Sequence, residues 1–180
     1  MRIGILLLVF SFLLLGPAAA QEAEIREQIE QYYNQRNRLA AITTLDERLT
    51  LASAEFDSTT ASPRLREALL LIDQIRRREV GVDEEMVLSP RSHPPCVQPA
   101  LMQVISVTPI SPEQLEVTVR TLPLSRKQNL QLIAQYENPD KQIKQPDISE
   151  YLPESLSVFR WTFDGRQWKV NPTHITLLSE

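Results

Sequence analysis

Apolar residues recur at steps of three and four along the first third of the chain and at steps of two in its last part. From Glu22 to about Ile42, the positions Ile25, Ile29, Tyr32, Tyr33, Leu39 and Ile42 share one broad face of a 3.6-residue period, with Glu24, Gln28, Gln31 and Gln35 opposite. That pattern predicts an amphipathic helix. Thr44 and Glu47 have the spacing of a capping box, in which each side chain satisfies a free backbone amide, and they open a second helix carrying Leu45, Leu49, Ala52 and Phe56. A third starts at Ser62-Pro63: the serine caps, the proline suits the first helical position, and Leu65, Leu69, Ile72 and Ile75 form the stripe before Gly81 stops it. The stretch "LSPRSHPPCVQP", residues 88–99, has four prolines that remove amide donors and disfavour helix before them, so it reads as a connector.

Beyond the connector the period falls to two. Leu101 to Val107, Leu115 to Thr121 and Leu130 to Tyr136 are short aliphatic or β-branched segments separated by proline-containing turns such as Pro109-Ile110-Ser111-Pro112, and each predicts a strand. Both tryptophans fall in "LSVFRWTFDGRQWKVNP", residues 156–172. A two-residue Asp-Gly turn there pairs Phe163 with Arg166, Trp161 with Trp168 and Phe159 with Val170, which gathers the rings on one face and leaves Arg160, Thr162, Gln167 and Lys169 on the other. "THITLL" continues the last strand or adds an edge strand beyond Pro172. The aromatic face is the surface that receives the helices. The expected fold is α+β, with N-terminal helices packed on a curved antiparallel sheet: 21–81 helical, 82–99 the connector and 100–180 the sheet, all one domain.

The amino terminus stands apart from this pattern. "MRIGILLLVFSFLLLGPAAAQ" joins a basic Arg2, an apolar run from Ile3 to Leu15 and the small residues Ala18-Ala19-Ala20, the make-up of a secretory signal peptide over residues 1–20 with cleavage before Gln21. The run is shorter than the roughly 20 residues that span a bilayer, and Gly16-Pro17 interrupts it, so no membrane attachment is expected after cleavage. The mature chain then carries 18 basic and 23 acidic residues, a balance of −5, with no general attraction to nucleic acid. The basic run Arg76-Arg77-Arg78 reads as the end of the third helix, where cations complement unpaired carbonyls. Cys96 is the only cysteine, so the fold holds without internal disulfides, and no Asn-x-Ser/Thr acceptor occurs with x other than proline. Export to a bacterial periplasm or the extracellular medium fits these features.

Candidate chemistry is sparse. Two histidines, His93 and His174, lie in no recognisable motif, and His93 with Cys96 supplies two of the four ligands a structural metal needs; neither a metal nor a cofactor is expected. Gly81 and Gly165 are the only glycines after the leader, too few for a phosphate-cradling loop. Asp46-Glu47 and Asp83-Glu84-Glu85 are explained by capping and solvated turns. Aromatic side chains offer more: Tyr33, Phe56, Phe159, Trp161 and Trp168 could wall a ligand cavity between sheet and helices.

Three stretches resemble the NTF2-like superfamily, a cone-shaped, cystatin-like α+β fold. "IEQYYNQRNRLAAI" is similar to its first helix, "VISVTPISPEQLEVTVRTL" to its central strands and "FRWTFDGRQWKV" to its closing hairpin. The family holds isomerases, dehydratases and epoxide hydrolases beside non-catalytic binding and assembly modules, so the resemblance implies a fold and leaves the activity open. Its catalytic branches place Asp, His or Tyr inside the cone. Carried over, that implies Asp57 near the mouth, His174 as a base, or Tyr32 or Tyr33 as an inward polariser. Three readings stand: an exported binding module for a small apolar ligand or a protein partner, a small-molecule lyase or isomerase, and a structural domain that pairs with itself through the sheet, as such domains often do, along an exposed row of "EVTVRTL".

Overall fold

The computed structural model describes residues 16–51, 56–80, 99–140 and 154–178. The apolar leader run, Ala52, Gly81, the acidic run Asp83-Glu84-Glu85, His93, Cys96 and residues 141–153 lie outside them, as does the side chain of His174. In chain order the described elements are α1 (Gly16–Ile42), α2 (Leu45–Leu51), α3 (Pro63–Arg77), β1 (Ala100–Ser111), β2 (Gln114–Pro123), α4 (Arg126–Glu137), β3 (Ser155–Phe163) and β4 (Trp168–Leu178). The strands form one curved antiparallel sheet in the order β1-β2-β3-β4, and the helices pack on it, so the fold is α+β.

Helix α1 is the centre of the packing and touches α3, α4, β1 and β4. Its Ile29, Tyr32, Tyr33, Leu39 and Ile42 are buried against Leu115, Val117 and Val119 of β2, Phe159 and Trp161 of β3, and Val170 of β4. The capping box of α2 is formed: Thr44 N donates to Glu47 Oε2 at 2.9 Å and Glu47 N to Thr44 Oγ1 at 3.1 Å. The helix is described as far as Leu51, and Phe56 is not helical but lies half-buried against the core. At α3 the Ser62 side chain accepts from Leu65 N with Pro63 in the first turn. This helix ends at Arg77, before Gly81, because the following residues exchange helix for sheet: Val170 N donates to Arg78 O at 2.8 Å and Val80 N to Val170 O at 2.9 Å.

Three expectations are corrected. Leu130 to Tyr136 is helix, not strand: Ser125 and Gln128 form a reciprocal capping box, and of the residues in α4 only Ile133 is β-branched. The closing hairpin turns through four residues, not two, so Phe163 opposes Trp168 and Trp161 opposes Val170; past an irregularity Phe159 meets Ile175. A slip of two residues keeps every ring on its face. The longer loop has local and cross-strand causes. Asp164 Oδ1 accepts from Arg166 N and Gln167 N, each at 2.9 Å, and Gly165 takes a φ of 90°. It also separates Arg160 from Lys169, whose ammonium meets Asp164 at 3.1 Å while Arg160 meets Glu116 at 3.3 Å. Third, "EVTVRTL" belongs to β2, hydrogen-bonded to β1 on one side and β3 on the other, and offers no free edge.

The edge strands carry their own protection. Asn37 of α1 donates to Met102 O at 2.7 Å and accepts from Met102 N at 2.6 Å, which occupies both outward backbone groups of one β1 residue. Register shifts between Val104 and Ser106 and between Pro109 and Ser111 interrupt the rest of that strand. At the opposite edge the Arg78–Val80 segment lies along Val170. Both devices reduce the template that an edge presents to a second chain.

Candidate functional site

Four of the aromatic residues singled out from the sequence converge where α1 crosses the sheet. Tyr32 and Tyr33 are consecutive, so they splay to either side of the inward face. The Tyr32 ring stands edge-on to Trp161 at 5.2 Å, and Tyr33 lies 6.0 Å from Trp161 and 6.1 Å from Phe159. Trp161 and Tyr33 are 0% and 2% exposed, so these rings fill the interior. Trp168 sits one pair further along the hairpin and meets Phe163 at a tilt, with centroids 5.4 Å apart.

A polar group is buried beside the rings. The Tyr32 hydroxyl donates to Glu79 Oε1 at 2.8 Å and accepts from Arg36 Nη1 at 2.9 Å, with the Arg36 and Glu79 charges 4.0 Å apart and their side chains 5% and 3% exposed. The phenol thereby bridges a charge pair taken out of water, joining α1 to the segment after α3. Its neighbour Tyr33 is different: burial pushes its hydroxyl far above the usual phenol range, only partly offset by Trp161 and Arg36, so it is neutral throughout the physiological range. Trp161 Nε1 approaches that hydroxyl without reaching hydrogen-bond geometry.

The space a ligand could enter lies at one end of this core. A cleft of about 350 Å³ opens between the first turns of α1 and the tip of the β1–β2 hairpin. Ile25, Val107, Pro109, Leu115 and Trp168 give it an apolar wall, and Glu22 and Arg26 are the ionisable side chains on its lining. Arg26 is held by Glu30 at 2.8 Å. A second, wider groove of about 710 Å³ runs between α1 and α3 and is lined almost wholly by polar residues, among them Glu24, Glu27, Gln31 and Arg38, with Leu71 the exception.

The proposed wall residues therefore part company. Trp168 lines the cleft, whereas Tyr33, Phe159 and Trp161 lie in the packed core and Phe56 at its margin. Asp57 is exposed in a turn, where its carboxylate accepts from the Thr59 hydroxyl and amide and is held below the usual carboxylate range by those bonds. Tyr32 is engaged in the buried charge bridge, and His174 belongs to β4 by its backbone. Among the described residues no group of three His, Cys, Asp or Glu could hold a metal ion, and no helix is long and apolar enough to cross a membrane. Ile25, Val107, Pro109 and Leu115 form the cleft without any sequence motif to mark them. Their only signal is the prolines of "VTPISP", which end the regular β1 pairing near the tip. Comparison with protein-family models, with curated proteins and with solved structures finds no match to this chain.

Proposed function

We propose that this chain is an exported, non-catalytic binding module of NTF2-like type that holds a small apolar ligand in the cleft beside Trp168. The observation that carries the reading is the cleft itself: it has the volume of a small-ligand site and an apolar wall from four separate elements, α1, β1, β2 and β4. Its ionisable residues, Glu22 and Arg26, both come from the first turns of α1. That placement suits orientation of a ligand better than proton transfer inside a closed cone. Export is supported by the leader, whose basic residue, apolar run and small residues precede Gln21.

The size of the site sets the strength of binding to expect. About 350 Å³ is room for roughly a dozen water-sized groups. At about 0.3–0.5 kcal/mol for each ligand atom this gives about 4–6 kcal/mol, a Kd between about 1 mM and about 40 μM. Titration with the uncharged probe 1-naphthylamine, followed by energy transfer from tryptophan, should saturate in this range. Val107→Glu, at a half-buried lining position, should weaken binding at least about tenfold by placing a charge in the apolar wall. Equal binding by both proteins at matched thermal stability overturns the reading.

A further inference from the structure

Gln21 is the residue that export would place at the amino terminus, and it lines the cleft. Resting on the exported reading above, we propose that Gln21 is a modification site: in the mature protein it is cyclised to pyroglutamate, and the neutral lactam forms the mouth of the cleft.

The chemistry needs nothing beyond the chain. Once the Ala20–Gln21 bond is cut, the freed α-amine of Gln21 attacks its own side-chain carbonyl carbon. A C–N bond forms and closes a five-membered ring, the bond from that carbon to Nε2 breaks, and the amide nitrogen takes the proton the amine gives up and leaves as ammonia. No oxidant or reductant takes part.

The surroundings favour the product. Helix α1 runs unbroken through residues 20 and 21, so cleavage would leave an ammonium at the positive end of a helix, where a cation is disfavoured and the neutral, nucleophilic amine gains. Arg26, one turn further on, already brings a positive charge to the same lining, matched by Glu22 on the cleft and by Glu30 through the ion pair. Gln21 shares the cleft lining with Ile25, Val107, Pro109, Leu115 and Trp168, and a neutral lactam at that position adds no charge beside their apolar wall. Ring formation breaks no helix hydrogen bond, because the first amides of a helix have no acceptor within it. Gln21 is exposed, so the amine and the side-chain amide are free to meet.

The test is made on full-length protein expressed with its own leader in a secreting bacterial host and recovered from the exported fraction. Intact mass and tandem mass spectrometry should show a chain starting at residue 21 and lighter by one ammonia than the free-glutamine form, and Edman degradation should be blocked. Gln21→Ala should restore a sequenceable terminus at the same position. A chain starting at Gln21 with a free amine overturns the modification and leaves the exported reading standing. A chain starting at Met1, or at any residue other than 21, overturns cleavage at this site and the modification with it.

Discussion

Asp164 shows how one side chain decides a turn. The dipeptide Asp164-Gly165 suits a two-residue hairpin, yet the Asp164 carboxylate takes the amides of Gln167 and Arg166 and the ammonium of Lys169, which draws two more residues into the loop. Those bonds stabilise the anion and hold the carboxyl at about 2, with the Gln167 and Arg166 amides the larger causes. A folded-state value below the unfolded one, about 3.9, means that the contribution is complete above about pH 5 and is lost as the pH falls towards 2. The amide resonances of Arg166 and Gln167 should therefore shift together over that acid range. In Asp164→Asn, which can still accept both bonds but cannot titrate, the transition should be absent. No such transition in the parent protein would show that the carboxylate does not organise the loop.

Helix α4 shows how an element can read as another. Between Leu130 and Tyr136 the short run is rich in aliphatic residues, Leu130, Leu132 and Ile133, which suggests a strand. The residues turned inward are instead Gln128, Asn129 and Ile133, the last two four apart, while Leu130 is 48% exposed. Periodicity over so short a run does not separate the two, and the caps do. Gln128 Oε1 accepts from Ser125 N at 2.8 Å while the Ser125 hydroxyl accepts from Gln128 N at 3.3 Å, and the same S-x-x-Q spacing is visible in the sequence. The helix in turn finishes α1, since Asn129 Nδ2 donates to Ala40 O at 2.7 Å and to Thr43 O at 3.1 Å. Ser125→Ala should lower stability by about 1 kcal/mol in urea unfolding, without change in the slope of the transition. A loss below a few tenths would show that packing alone holds α4.

In the assembled molecule the aromatic layer under α1 holds the helices and the sheet together. Trp161 touches both tyrosines of α1 and is wholly buried, so Trp161→Ala should cost about 3–5 kcal/mol by differential scanning calorimetry or urea titration. A cost near 1 kcal/mol would mean that helices and sheet are held elsewhere. Much of this was legible beforehand. The helical stripes, the caps at Thr44 and Ser62 and the aromatic face of the hairpin each follow from residue type at a fixed local spacing, because caps and turns are made within a few residues and a two-residue slip leaves a strand's faces unchanged. The α+β class follows from the same local signals. What local spacing cannot contain is which distant groups meet. The bridge from Tyr32 to Glu79, the Asn37 clasp on Met102, the pairing of Arg78–Val80 with β4, and the division of the aromatic residues between a filled core and an open cleft all bring together side chains or backbone far apart in the chain. They arise only when the helices settle on the curved sheet, since burial, charge pairing and empty space are properties of the packed whole.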